Sequence, residues 1–146
     1  MSLENLVGRS LEEIEPDASV IKRLVSAAAR NIDDAHVIEI TLENRFDAAY
    51  KAIMQLANVA LQANGYRTLT SRPGHHITMI QLLTQTIGLE RQAVIVLDTL
   101  RKQRNVADYT GDRVPASAVD ESVKHAKYLL HHVNRWLKEN KPALID

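Results

Sequence analysis

The feature that most constrains this chain is a run of apolar residues at helical spacing over residues 42–64. Its members recur in steps of three and four: Phe46, Ala49, Tyr50, Ile53, Leu56, Ala57, Ala60 and Leu61. Residues spaced in this way fall on one face of an α-helix. Asn64-Gly65 follows and is a common helix stop. A stripe this continuous has to be covered by other elements, which predicts that this helix packs inside a helical core.

Further amphipathic stretches predict helices from Pro16-Asp17 to about Ile32, from His75 to Gly88, from Glu90 to Ala107, and from Pro115 or Ser117 through Leu137. The segment Gly65–Gly74 is predicted to be a loop by its turn residues. The apolar residues predicted to face inward are Val20, Ile21, Leu24, Val25, Ala28, Ile32, Ile77, Ile80, Leu83, Ile87, Ala93, Val94, Val96, Leu97, Leu100, Val119, Val123, Ala126, Leu130, Val133 and Leu137. Long helices with short connections favour an all-α, antiparallel bundle of four to five helices. We expect a single domain over 1–146 in which residues 1–16 form a loosely ordered lead-in.

The composition excludes several classes of protein. Lys plus Arg and Asp plus Glu each total 18, so the chain is neither a polybasic binder nor an acidic disordered tail. It has no cysteine and therefore no disulfide, thiolate nucleophile or cysteine-ligated zinc. No apolar run approaches the ~20 residues that span a bilayer, and no signal peptide opens the chain. These features predict a soluble, cytoplasmic protein that does not associate with membranes.

The charge is unevenly distributed along the chain. Residues 1–48 carry ten acids against five bases, whereas residues 49–88 carry three bases, Lys51, Arg67 and Arg72, and no acid. An acid-free segment can present a positive surface to a phosphate-bearing ligand. The alternative is that much of this segment is core, which excludes charges of both signs.

Arg104 is the residue most suggestive of a site. On the helix predicted over 90–107 it continues the apolar face of Leu97 and Leu100, so its guanidinium needs partners. One interpretation is structural, with Arg104 paired to Asp108 four residues on and Tyr109 packed on the pair. The other is an arginine held in a groove, where it binds a phosphate with two parallel hydrogen bonds.

The stretch Arg104-Asn105-Val106-Ala107-Asp108-Tyr109, near the end of the penultimate helix, resembles the HEPN superfamily. RFDAAYKAIMQLANVALQANGYR (45–67) is similar to the second helix of that family, and PGHHITMIQLL (73–83) is similar to the histidine-containing start of its third helix. The resemblance covers roughly residues 18–138 and lies closest to members that read Arg-x-x-Ala-Asp-Tyr. It implies an all-helical fold, a homodimer with a symmetric groove, and binding of a nucleotide or RNA, in some cases within a toxin–antitoxin or defence system.

The chain departs from the nucleases of that family at one position. RNA-cleaving members carry Arg, four to six residues, and then His; here the position five after Arg104 is Tyr109. A phenol does not readily take up a proton at neutral pH, and the nearby Arg104 favours the ionised form of Asp108. Weak or absent nuclease activity is therefore predicted. The resemblance still assigns Arg104, Asp108 and Tyr109 to any catalytic role, and Arg104 with Asn105 and the preceding Arg101 to ligand binding.

The histidines offer one further source of acid–base chemistry. His75 and His76 begin the predicted third helix, and if the bundle brings them beside Arg104 they join the ligand-binding set. His125 and His132 share a face of the last helix but lie about two turns apart, ~10 Å, which is too far for one metal ion. No metal site and no cofactor are predicted.

Three functions remain open on the sequence alone. The first is a HEPN-like module that binds a nucleotide or RNA. The second is a metal-independent endoribonuclease that uses Arg104 with Asp108, Tyr109 or a nearby histidine. The third is a protein-interaction subunit in which the motif only supports the structure, with a partner protein as its ligand.

Overall fold

A computed structural model describes residues 2–69 and 74–146. Four long helices dominate it: α1 (Ala18–Ala35), α2 (Leu42–Ala63), α5 (Arg91–Thr110) and α6 (Ala116–Asn140). Two short helices, α3 (His75–Gln81) and α4 (Leu83–Ile87), lie between α2 and α5, and two short strands, β1 (Leu11–Glu13) and β2 (Tyr66–Thr68), pair with each other. Single 3-10 turns occupy Leu3–Leu6 and Pro142–Leu144. The predicted all-α bundle is confirmed.

The helices begin and end where their local chemistry favours it. Asp17 caps α1, because its carboxylate accepts hydrogen bonds from the backbone N–H groups of Ser19 and Val20. Thr41 caps α2 in the same way through the N–H of Asn44. Gly111 ends α5 in the left-handed region at φ 70°, a conformation that a side chain would strain.

Cross-helix hydrogen bonds show the directions of the helices. Asn31 of α1 bonds to Gln55 of α2, and the carbonyl of Ala35 accepts from Arg45. Because later residues of α1 meet earlier residues of α2, these two helices are antiparallel. Tyr128 of α6 donates to Glu90 at the start of α5, while the first turns of α6 face the later turns of α5 across a shared groove, so this pair is antiparallel as well.

The core is built around α2, which packs against both α1 and α6. Every residue of its predicted apolar stripe is buried, and Phe46, Ile53 and Leu56 are almost completely enclosed. The stripes of α1 and α6 are buried at Ile21, Ala28 and Ile32, and at Val119, Val123, Ala126, Val133 and Leu137. On α6 the fully buried leucine is Leu129, and the predicted Leu130 is only partly buried against the core.

Several details of the fold differ from the expectations. Residues 1–16 were expected to be a loosely ordered lead-in, yet β1 pairs antiparallel with β2 and Leu11 is completely buried. The strand β2 lies in the segment expected to be a loop over 65–74, of which residues 70–73 are outside the described part of the chain. Strands this short show no detectable alternation in sequence, and they are held by register contacts such as Leu11 with Thr68.

The helix predicted over 75–88 is broken at Leu82, and the helix predicted over 90–107 extends to Thr110. Leu82 and Leu83, at the break, are both buried. The helix α3 lies beside both α2 and α5, and its start is at the end of the bundle where Arg104 lies. Among the described residues no helix is long and apolar enough to cross a membrane.

Candidate functional site

One face of α2 forms the wall of a pocket. Its residues are spaced by three and four along the helix: Asp47, Tyr50, Lys51, Met54, Gln55 and Asn58. They run beside the buried stripe, so Tyr50 and Met54 are mostly enclosed while the polar residues reach the open side. The helix thus presents an apolar floor with polar groups along its edge.

The remaining walls come from His76 and Met79 of α3 and from Arg104 of α5. The enclosed space is about 510 Å³, within the range of small-molecule sites. The contacts of Arg104 with Asp47 and Tyr50 place the later part of α5 beside the start of α2. The structure therefore brings two sequence-predicted site residues, Arg104 and His76, into one pocket.

Arg104 is held by two carboxylates and an aromatic ring. Its Nε lies 3.5 Å from a carboxylate oxygen of Asp108 and 3.7 Å from one of Asp47. Its guanidinium carbon lies 5.0 Å from the centroid of the Tyr50 ring, within cation–π range. The side chain is 32% exposed, yet Nε is buried and has no hydrogen-bond partner among the described residues. These neighbours therefore hold Arg104 in position, but they provide no hydrogen-bond acceptor for its Nε.

Tyr50 links Arg104 to His76. The Tyr50 hydroxyl lies 3.2 Å from His76 Nδ1, so the two side chains share a hydrogen bond. Burial raises the pKa of Tyr50 to about 12, so the phenol stays protonated. Burial, His75, Arg104 and Arg101 together hold the pKa of His76 below its usual value, which favours the neutral imidazole at pH 7. Because Nδ1 is engaged by Tyr50, Nε2 is the ring nitrogen that has no partner among the described residues.

Asp47 is the acid at the mouth of the pocket. Burial and the negative charge of Asp108 raise its pKa, and the positive charge of Arg104 opposes that rise. A proton is therefore easier to place on Asp47 than on a carboxyl in water. The negative charge beside Arg104 is therefore lost at a higher pH than it would be for a carboxyl in water.

The other predicted residues lie at varying distances from the pocket. Asp108 forms the predicted ion pair with Arg104. Tyr109 is 91% exposed, so the expectation that it packs on this pair is wrong; the ring beside Arg104 is that of Tyr50. The predicted ligand-binding residues Asn105 and Arg101, both on α5, do not line the pocket. Arg101 Nε donates instead to Asp98 at 2.9 Å. Arg101 acts on the pocket only through its charge.

The two remaining histidine predictions also have defined places. The His75 ring packs edge-on to His76 with centroids 4.7 Å apart, so His75 contacts a residue of the pocket but does not line the pocket itself. His132 Nε2 bonds to the carbonyl of Ile87, and His125 pairs with Glu121. Within residues 2–69 and 74–146, no three His, Asp or Glu side chains group in a way that could hold a metal ion.

Sequence reasoning missed the polar edge of α2. Asp47, Lys51, Gln55 and Asn58 follow each other at helical spacing, and such a row is usually a solvated helix face. Two features of the sequence could have pointed to this row. It lies directly beside the core stripe of α2, and another helix of the bundle carries Arg104 on its apolar face.

The sequence of this chain matches no protein-family model and no curated protein.

Proposed function

We propose that this chain is a HEPN-like module that binds a nucleotide or RNA, with a phosphate held at Arg104. The observation that carries the proposal is the state of Arg104: it lines a pocket of about 510 Å³ with a side chain that is 32% exposed. Its Nε is buried and has no hydrogen-bond partner among the described residues, so the terminal NH₂ groups are the part of the guanidinium that a ligand can reach. A phosphate supplies two acceptors in the geometry that a guanidinium fits.

Two further side chains support an anionic ligand. Lys51 of α2 lines the same pocket as Arg104, and so does His76, whose Nε2 has no partner among the described residues. Asp47 and Asp108 oppose the anion, but their oxygens lie at 3.7 and 3.5 Å from Nε, respectively, outside the range of a strong hydrogen bond. The ligand therefore competes with two weak contacts.

The second candidate is a metal-independent endoribonuclease, and the specific observation in its favour is His76 beside Arg104. It could replace the histidine that the Tyr109 position lacks. Against this, burial lowers the pKa of His76, which makes its imidazole a weaker base for the proton of a 2′-hydroxyl than a histidine in water. Binding without cleavage is the better-supported function.

The direct test is to incubate the protein with labelled single-stranded RNA in excess chelator, and to follow binding and cleavage together. We expect binding with no cleavage at any protein excess. Cleavage that disappears in His76→Gln would establish the nuclease instead. Absence of both activities would contradict the proposal and favour the third function, a protein-interaction subunit.

A homodimer, a cytoplasmic location and a place in a toxin–antitoxin or defence system are part of the same proposal. Exposed Ile95 and Val106 on α5 offer apolar surface that a second copy could cover. Light scattering on the purified protein should give the mass of a dimer. A monomer at micromolar concentration would remove that part of the proposal.

Asp47→Asn is expected to strengthen RNA binding about three- to fivefold at pH 7.5, because it removes one negative charge beside the bound phosphate. Wild-type binding should tighten as the pH falls from 7.5, since Asp47, whose pKa is raised, and His76 both gain protons. The rise should be smaller in Asp47→Asn, which lacks the contribution of Asp47. Fluorescence anisotropy at several pH values measures both effects.

The matched control for this prediction is Asp33→Asn, which removes an exposed carboxylate from α1. It should leave the affinity unchanged at each pH. Equal effects of the two substitutions would mean that net charge, and not the Arg104 pocket, governs binding.

A further inference from the structure

Beyond Arg104, the α2 wall of the pocket carries two amide side chains, Gln55 and Asn58. Arg104 lies over Tyr50, and Tyr50 and Asn58 are about two turns apart on α2, which separates them by roughly 12 Å along the helix axis. This distance is comparable to the reach of a nucleotide from its phosphate to the hydrogen-bonding edge of its base. A phosphate at Arg104 would therefore bring a base beside these amides.

The floor between the two ends suits an aromatic base. Met54 and Met79 line the pocket, and both are buried. Thioether sulfurs make favourable contacts with aromatic rings and adapt to their shape. The pocket thus has a cationic end, an apolar floor and an amide end.

Hydrogen bonds within the protein determine which amide atoms are free. Asn31 donates to Gln55 Oε1 at 2.8 Å, and Gln62 donates to Asn58 Oδ1 at 3.0 Å. Each amide oxygen thereby has one of its two acceptor positions engaged, while the NH₂ groups of Gln55 and Asn58 make no hydrogen bond with the described residues and keep both hydrogens for a ligand. The amide end is therefore biased towards groups that accept hydrogen bonds.

We propose that this end of the pocket reads the base and selects guanine or uracil over adenine and cytosine. Guanine O6 and uracil O4 accept hydrogen bonds, whereas the amino groups at the corresponding positions of adenine and cytosine donate them. If the amino group of adenine or cytosine faced the NH₂ of Asn58 or Gln55, two hydrogen-bond donors would meet and neither would find an acceptor. This inference rests on the proposed function, because it places the phosphate at Arg104.

The test compares the affinities of four nucleoside monophosphates by calorimetry at pH 7.5. GMP should bind about fivefold more tightly than AMP, and UMP than CMP, the ratio expected for one neutral hydrogen bond. Asn58→Asp replaces the donor by an acceptor, so each ratio should fall to one or reverse. All four nucleotides should bind more weakly to this variant because of its added negative charge. The readout is therefore the ratio of the affinities within each pair, and not the affinity for any one nucleotide.

The matched control is Asn134→Asp, which makes the same change at an exposed position on α6 and should leave both ratios unchanged. If circular dichroism shows that Asn58→Asp is unfolded, Gln55→Glu provides the same readout. Equal binding of the four nucleotides to the wild type, or a preference that survives both substitutions, overturns base selection while the phosphate site stands. If none of the four binds, the inference and the proposed function both fail.

Discussion

Arg104→Ala should weaken nucleotide or RNA binding about a hundredfold or more. The guanidinium offers two charge-assisted hydrogen bonds to a phosphate, each contributing about 1.5–3 kcal/mol. Its removal also leaves Asp47 and Asp108 facing the ligand without a neutralising charge. Arg104→Lys should recover only a part of the affinity, because an ammonium keeps the charge but not the planar pair of donors. Anisotropy titrations of the three proteins measure the effect.

The free energy of unfolding should change by less than about 1 kcal/mol in Arg104→Ala, since the ion pairs of Arg104 are partly exposed and its Nε makes no hydrogen bond within the described chain. This separates a binding role from a structural one. The control is Arg135→Ala, which removes an exposed arginine from α6 and should affect neither quantity. A stability loss of several kcal/mol with unchanged binding would make Arg104 a structural residue.

Phe46→Ala should lower the free energy of unfolding by about 3–5 kcal/mol. Phe46 is 1% exposed on the helix that packs against both α1 and α6, so its truncation leaves a cavity that the surrounding helices cannot easily fill. Urea unfolding followed by the fluorescence of the only tryptophan, Trp136, gives the value.

Ile38→Ala serves as the comparison, because Ile38 is a highly exposed apolar residue between α1 and α2 and its truncation should change stability by no more than about 0.5 kcal/mol. If Phe46→Ala cost as little as Ile38→Ala, α2 could not be the centre of the core.

The long helices could be predicted because each of their sequences repeats the same spacing of apolar residues over several turns. The stripe from Phe46 to Leu61 contains enough turns for the helical period to stand out, and Asp17, Thr41 and Gly111 mark boundaries by local chemistry. The paired strands could not be found in this way. Three residues hold little more than one period of alternation, and Leu11 is buried because of a partner more than fifty residues away.

The candidate site was predictable only in its arginine and one histidine. Arg104 stood out because a charge on an apolar helix face conflicts with the local pattern. His76 required the bundle geometry, since nothing local distinguishes it from His75. Tyr50 was predicted to be core and is buried, but its role beside Arg104 depends on a contact between two distant helices. Asp47 was missed because a carboxylate on an exposed turn of α2 is usually solvated, and its pairing with Arg104 is again a tertiary contact.

The central claim is that a phosphate binds at Arg104, and nuclear magnetic resonance tests it directly. The buried Nε–H of Arg104 should give a resolved signal, which is assigned by its loss in Arg104→Lys. On titration with GMP or a short RNA, the account predicts that this signal shifts and saturates together with binding. Binding that shifts other signals while the Arg104 Nε–H signal stays in place would contradict it.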